Sequence, residues 1–479
     1  MRILLASSEV YPYSKTGGLA DMTGALAKAL GRAGHQVAIV TPLYGPILSR
    51  FPTLEKLDWH MDLPLGTVRV IAEVWTLEHS PNVTAYFINQ PQFYNRPGIY
   101  NEAGVDYPDN GERYIFFAKA IVHLARYLPA APEVLHVHDW QGGLAPIMAL
   151  HHRLTQGWPN PPRTCFTIHN LAYQGNFPRA YYNLTNLPID YFNPNGVEFY
   201  GYMNCMKAGI VYADTITTVS PRYAREIMTE EFGCGLDDRL RQRQDSLFGI
   251  LNGVDYDEWN TENNRHLKQA YSAQNLEGKT INKLNLQLEM GLPKNPRVPL
   301  FGSITRLVDQ KGVDITLGAL EEMLAADMQF VLLGSGAPVY EKALTQLAAR
   351  YPTRMAVQIG YDQGLSHRIE AGSDFFLMPS RYEPCGLNQM YSLRYGTIPI
   401  VRTTGGLDDA VTDISQDLNR ANGIKFTEYS VRALARAIRK ALVLYDRAEL
   451  LEHYRKNAMK ADFSWDKTAR EHLKAYGGN

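Results

Sequence analysis

The chain is poor in several features that would each have named a class of protein. It has only four cysteines in 479 residues, Cys165, Cys205, Cys234 and Cys385, widely spaced and with no C-x-x-C pair. That excludes a disulfide scaffold or a zinc ribbon, and points to free thiols in a reducing compartment. No charge of one sign dominates: 48 Lys and Arg stand against 49 Asp and Glu. A polyanion partner such as nucleic acid would call for a basic surplus or stripe, and neither is present. No apolar run approaches membrane-spanning length. The opening Met1-Arg2-Ile3-Leu4-Leu5-Ala6-Ser7-Ser8-Glu9 is too short in its apolar part for a signal peptide and reads as a strand. A cytoplasmic protein with no nucleic-acid and no membrane partner is expected.

What the chain does contain is apolar residues at 45%, enough for two or three cores at this length. Short apolar runs alternate with helical stretches. Arg2 to Ala6 reads as a buried strand; Gly18 to Ala33 follows with Leu19, Met22, Ala25, Leu26, Ala29 and Leu30 at helical spacing; Gly34 stops it, and Gln36 to Val40 starts the next strand. Similar strand runs fall at 83–88, 134–138, 164–168 and 215–219. After the turn Asn252-Gly253-Val254-Asp255 the same grammar returns, with strands at 300–304, 330–333, 374–378 and 398–401 and helices at 312–324, 338–349 and 386–395. The expected fold class is α/β, with parallel sheets covered by helices on both faces. The expected division is 1–251, 252–460 and a C-terminal helix in 461–479, for which both domains stay open as packing partner. Thr16-Gly17-Gly18-Leu19-Ala20-Asp21 is echoed by Thr404-Gly405-Gly406-Leu407-Asp408-Asp409. Two related domains or reuse of a common helix start would each explain that echo.

In open parallel sheets ligands bind beyond the carboxyl ends of the strands, and the polar residues cluster there. Lys15-Thr16-Gly17-Gly18-Leu19 joins a cation to bare backbone at a helix start, which suits phosphate. It matches neither the dinucleotide glycine pattern nor the P-loop. His136-Val137-His138-Asp139-Trp140 ends a strand; the H-x-H pair has no partner cluster at metal-ligand spacing, so Asp139 is the better candidate and no metal is expected. Ile168-His169-Asn170-Leu171-Ala172-Tyr173-Gln174-Gly175 suits recognition of hydroxyls. Arg306 and Lys311 flank a short loop before a helix and make a plausible diphosphate clamp. Glu383-Pro384-Cys385-Gly386-Leu387 combines a carboxylate with bare backbone. Cys385 lacks a neighbouring base in sequence and is not expected to act as a nucleophile.

In order and spacing these segments, with Asn252-Gly253-Val254-Asp255, Gln310-Lys311-Gly312 and Phe463-Ser464-Trp465, resemble the glycogen and starch synthases over essentially the whole chain. The resemblance implies two Rossmann-like domains facing across a cleft, the GT-B glycosyltransferase architecture. It implies transfer of glucose from ADP-glucose, favoured, or UDP-glucose to the non-reducing end of an α-1,4-glucan, with retention at the anomeric carbon and without a cofactor. The partners it implies are the glucan acceptor (glycogen, starch or a malto-oligosaccharide) and the nucleotide-sugar donor. It implies catalytic roles for Lys15, Asp139, His169, Arg306, Lys311 and Glu383. It places Glu9, Gly18, Asp21, Asn170, Tyr173, Gln174, Asn252, Gln310, Tyr361, Cys385, Gly386, Leu387 and Asn388 among the substrate-binding residues, with Tyr361 stacked on the base. Many members carry Thr-Gln where this chain has Asn388-Gln389, a difference that bears on donor contacts. Another nucleotide-sugar transferase of the same fold, or a catalytically silent glucan-binding or priming protein, are the alternatives.

Overall fold

A computed structural model of the chain describes residues 1–477. They form two units, Met1–Gly253 with the segment from Trp465 onward, and Val254–Ser464. The chain therefore passes between units twice. The first unit ends at Gly253 and the second at Ser464, later than the boundaries of 251 and 460 read from the sequence. The packing explains both shifts. A Cβ on Gly253 would lie 2.6 Å from the Trp465 ring, so the turn is seated under that ring. Residues 461–464 pair back onto the start of the second unit: Val254 N–H donates to Phe463 O at 2.7 Å, and Phe463 N–H donates to the Tyr256 hydroxyl at 2.7 Å. The helix Trp465–Ala475 belongs to the first unit, where Thr468 Oγ1 donates to Leu251 O at 2.9 Å.

The first unit is built on a nine-stranded sheet. Its order is Leu247–Gly249, Thr215–Thr218, Arg163–Ile168, Val134–His138, Arg2–Ala6, Gln36–Pro42, Val83–Asn89, Val68–Ser80, Glu55–Leu65. All pairings are parallel except the outer two, where Val68–Ser80 runs antiparallel to both neighbours. The central strands are buried on both faces because helices cover them: Ile3, Leu4, Leu5 and Ala6 are all buried, as is every residue of Val134–His138, its two histidines included. The helix Gly18–Arg32 buries Leu19, Met22, Leu26, Ala29 and Leu30, as the 3.6-residue period requires. The outer strands Glu55–Leu65 and Val68–Ser80 are half exposed and mix polar with apolar residues. That weaker pattern left them unassigned in the sequence.

The second unit holds a six-stranded parallel sheet in the order Met355–Ile359, Gln329–Gly336, Leu300–Leu307, Phe375–Met378, Ile398–Arg402, Ile424–Phe426. Counted along the chain this is 3-2-1-4-5-6, the dinucleotide-fold order. Strand alternation splits its core in two. Phe301, Phe330 and Phe375 face the helices Val313–Met323 and Val431–Tyr445. Leu300, Val331 and Phe376 face Glu277–Glu289, Gln363–Gly372 and Asn388–Arg394. The polar stretch after the turn at 252–255 wraps this unit: Trp259 stacks on Tyr391 with centroids 3.7 Å apart, and Asn264 Nδ2 donates to the Tyr395 hydroxyl at 2.9 Å. Among the described residues no helix is long and apolar enough to cross a membrane.

Candidate active site

Each sheet has a point where strands on either side connect in opposite directions, and such points open a crevice at the carboxyl ends. In the first unit it lies between Arg2–Ala6 and Val134–His138; in the second, between Leu300–Leu307 and Phe375–Met378. Lys15, Gly18 and Asp139 follow the first pair of strands and Arg306, Lys311 and Glu383 the second, whereas Asn252 and Tyr361 follow strands at the sheet edges.

In the first unit the glycine loop leaves the strand Arg2–Ala6 and opens the helix Gly18–Arg32. Gly17 is extended, at φ −151°, and a Cβ on Gly17 or Gly18 would meet nothing within 4 Å. These glycines answer no internal clash and no left-handed turn; they leave bare backbone facing open space. The loop is held from behind by Glu9. One carboxylate oxygen accepts the Thr16 hydroxyl at 2.6 Å and the Tyr100 hydroxyl at 2.7 Å. The other accepts the N–H groups of Thr16 and of Gly17, the latter at 3.1 Å. Glu9 was expected among the substrate-binding residues; both its oxygens are committed to the loop, so it acts as the brace. Asp21 likewise engages Lys15, at 2.7 Å. Tyr100 and Ser8, joined at 2.7 Å, complete the brace. Neither stands out in the sequence, because a contact across 92 positions leaves no local pattern.

The neighbouring strands carry Asp139 and His169. Asp139 has φ +52°, an uncommon conformation for a residue with a side chain, and its Oδ1 accepts the His169 N–H at 2.8 Å. Burial pushes its carboxyl up to about 7, while the backbone N–H groups of His169 and Asn170 pull the other way. Burial pushes His169 down to about 3, so its imidazole is neutral. Asn170 Oδ1 caps its own loop at Ala172 N–H, 3.1 Å, and Tyr173 is exposed. Gln174, expected to meet substrate, is turned inward: it donates to Cys234 O at 3.0 Å and accepts Asn204 Nδ2 at 2.8 Å. Asn252 is buried next to the unit boundary, with Oδ1 lacking a partner among the described residues.

In the second unit Arg306 is the penultimate residue of the strand Leu300–Leu307 and is exposed, with no partner for its guanidinium among the described residues. Lys311 sits in the next turn, its ammonium 2.5 Å from Glu383 Oε2. Glu383 is 6% exposed and also accepts the Ser380 hydroxyl at 3.0 Å. Two glycines make this possible. Gly312, at φ +70°, would place a Cβ 2.1 Å from Pro379 O, and Gly405, at φ +45°, would place one 1.8 Å from Glu383 O. The two echoed Thr-Gly-Gly loops thus use glycine differently, one for open space and one for a backbone crossing. Gln310 donates to Tyr382 O at 3.3 Å and steadies the loop. Gly386 and Leu387 have backbone N–H groups without an acceptor among the described residues. Asn388 Nδ2 donates to Ile304 O at 2.7 Å, tying its helix to the strand that carries Arg306. Cys385 is buried and forms no disulfide among the described residues. Tyr361 is 84% exposed after the strand Met355–Ile359 and offers an open ring face.

Among the described residues no group of three or more His, Cys, Asp and Glu is placed to hold a metal ion. His136 in particular has both ring nitrogens engaged, with Tyr476 at 2.7 Å and Thr167 at 2.5 Å.

Two α/β units, one with the dinucleotide-fold strand order, each with its polar cluster at the switch point, define a GT-B glycosyltransferase. Residues 2–242 match the family described as starch synthase catalytic domain, and 289–461 match glycosyl transferases group 1. The chain is 46% identical to the glycogen synthases of Anaeromyxobacter sp. (strain Fw109-5) and of Thioalkalivibrio sulfidiphilus, over 99% of each chain. It superposes on the catalytic domain of starch synthase IV from Arabidopsis thaliana, solved bound to ADP and acarbose, with a TM-score of 0.89 and 33% identity over 99% of this chain and 98% of that one. The chain belongs to the glycogen and starch synthase family, enzymes that transfer glucose to a glucan.

Proposed function

We propose that this enzyme takes glucose from ADP-glucose and adds it, with retention, to the non-reducing end of an α-1,4-glucan. The observation that carries this reading is the switch point of the second unit. There an exposed Arg306, the Lys311–Glu383 pair at 2.5 Å and the unengaged N–H groups of Gly386 and Leu387 follow adjacent strands. Cations and backbone donors aimed at one spot stabilise the charge that develops on a departing diphosphate. Arg306 and Lys311 take that charge, Glu383 and the backbone of 385–387 hold the glucose and its phosphate, and Tyr361 stacks on the base. Asp139, His169 and Asn170 of the first unit receive sugar hydroxyls, and Lys15 with Gly18 receives donor phosphate. A retaining glycosidase would need two carboxylates roughly 5 Å apart. Glu383 is instead paired with a cation, which favours same-face attack with the leaving phosphate accepting the acceptor's proton. The reading gives no metal or prosthetic group a role. The ADP preference is supported by the ADP bound to the Arabidopsis relative and by the open face of Tyr361, which a larger base covers better. Free thiols support a reducing, cytoplasmic setting.

The test is transfer of labelled glucose to glycogen from ADP-glucose and UDP-glucose side by side, with the new linkage read by NMR. Faster transfer from ADP-glucose in α-1,4 linkage is expected. A preference for UDP-glucose sinks the donor assignment; no transfer from either sinks the reading.

A further inference from the structure

Under the switch point of the first unit lies a block of four histidines. His136 and His138 project to the same side of their strand, two residues apart, with ring centroids 4.2 Å apart. His169 lies 5.3 Å from His138 and His472, on the C-terminal helix, 5.5 Å from His136. His136 is satisfied at both nitrogens. His138 is not. Its Nδ1 lies 3.1 Å from His169 Nε2, while its Nε2 is buried and has no partner among the described residues.

One of the two facing nitrogens must carry the hydrogen. If His169 Nε2 carries it, His138 accepts at Nδ1 and holds its own hydrogen on Nε2, a buried N–H with no acceptor. If His138 Nδ1 carries it, only a bare lone pair is left buried. Orphaned buried N–H groups are the rarer and costlier defect, so the second arrangement is favoured. A doubly protonated His138 is disfavoured by burial, which holds its imidazole well below the usual range, with the nearby imidazoles of His136, His169 and His472 adding to the effect. His169, accepting at Nε2, then carries its single hydrogen on Nδ1. That nitrogen has no partner among the described residues, and the residue is part-exposed. Asp139 fixes the backbone of His169 while His138 fixes its ring.

We propose that His138 is a positioning residue for glucosyl transfer: it donates Nδ1–H to His169 Nε2, so that His169 presents a hydrogen-bond donor, not a base, to a sugar hydroxyl. This rests on the assignment of His169 to the sugar site. The choice between the two neutral forms of a histidine is set by the bond its other nitrogen makes.

Full-length enzyme labelled with ¹⁵N-histidine would be read by NMR alongside H138F, which keeps a ring but no donor, and H138N, whose amide nitrogen can stand where Nδ1 stood. His169→Gln assigns the His169 signals. In the unaltered enzyme His169 is expected to be protonated at Nδ1, to lose that form in H138F and to keep it in H138N. Partners that orient a metal-bound histidine are typically worth about 10- to 100-fold, and an effect of that order is expected for a histidine oriented toward a sugar. H138F should lose that much kcat with KM for the donor within about threefold, and H138N should recover most of it. A His169 protonated at Nε2 in the unaltered enzyme overturns the proposal. So does a fall in H138F kcat with the His169 signals unmoved, which marks a merely structural role. Should the signals follow the proposal while H138F and His169→Gln both keep full kcat, the positioning role falls together with the placing of His169 in the sugar site, and the ADP-glucose reading is tested separately by the transfer assay.

Discussion

Lys311 and Glu383 form a largely buried ion pair, with side chains 19% and 8% exposed, and that geometry makes opposite demands on the two residues. Glu383 needs the cation because an unpaired carboxylate at that depth is costly. The cation in turn is held where a diphosphate would leave. Lys311→Gln should therefore lower kcat by about 10²- to 10³-fold, the usual effect of removing one group that stabilises developing charge. Glycogen KM should change little. Steady-state kinetics with varied glycogen would check this, and an unchanged kcat would remove the clamp role. Lys15 is a different kind of cation. It is exposed and shared with Asp21 at 2.7 Å, so its loss leaves no buried charge behind. Lys15→Ala should depress turnover while ADP affinity, measured by calorimetry, stays within about threefold, because uniform binding and transition-state binding separate in this way. ADP affinity falling in step with kcat would place Lys15 in ground-state binding. At this scale the sequence shows which polar residues close or follow a buried strand, as Asp139, His169 and Arg306 do. It is silent on Tyr100, Ser380 and Tyr476, whose roles come from contacts with residues far away in the chain. It gives no sign of the inward hydrogen bonds of Gln174, since a polar residue in a polar loop does not reveal which way it turns.

Two glycines beside candidate site residues, Gly312 and Gly18, separate at the level of turns and helices. At Gly312 the positive φ and the Pro379 carbonyl leave no room for a side chain. Gly312→Ala should destabilise the second unit by at least about 1–3 kcal/mol, from backbone strain alone, and lower its melting temperature. Gly18 starts the helix Gly18–Arg32 with nothing within 4 Å of a Cβ, and alanine is the better helix former by about 1 kcal/mol. Gly18→Ala should keep or raise the melting temperature, yet lose activity if the open backbone is where phosphate approaches. Calorimetry and activity on both variants give the contrast. A Gly18→Ala enzyme with full activity would mean that the bare backbone serves no ligand. Element legibility followed the same physics. Strands covered on both faces, such as Arg2–Ala6 and Val134–His138, are short runs dominated by aliphatic residues between turn signals, and their bounds agree with the reading of the sequence. The half-exposed hairpin Glu55–Leu65 and Val68–Ser80, and the helix Glu277–Glu289 with its polar outer face, carry a diluted pattern and were missed.

For the whole molecule, the buried histidines tie stability to pH through the first unit. Burial pushes His169 and His472 down to about 3, His79 and His152 to about 4, and His136 and His138 well below the usual range. The unfolded chain takes up protons at these groups near pH 6.5, whereas the folded unit refuses them. The stability they contribute is thus present above 6.5 and falls as pH drops toward the folded values. Each group adds up to about 1.4 kcal/mol per pH unit. Asp139 opposes this. Its carboxyl is raised to about 7, so its contribution is full below the ordinary carboxylate range and is lost as pH rises through 7. One group of that sign cannot offset six of the other, and the first unit should lose stability steeply between pH 6.5 and 5. Hydrogen exchange at pH 5 should expose its strands first. His472 is the sharpest probe, because it touches no candidate substrate contact, yet its charge would act on His136, His138 and His169 together. His472→Leu should flatten the fall of the melting temperature between pH 7 and pH 5. Melting curves that stay parallel to those of the unaltered enzyme would show that this block does not govern acid stability. A flatter curve would tie the helix Trp465–Ala475, reached only after the whole second unit, to the integrity of the histidine block that includes His169.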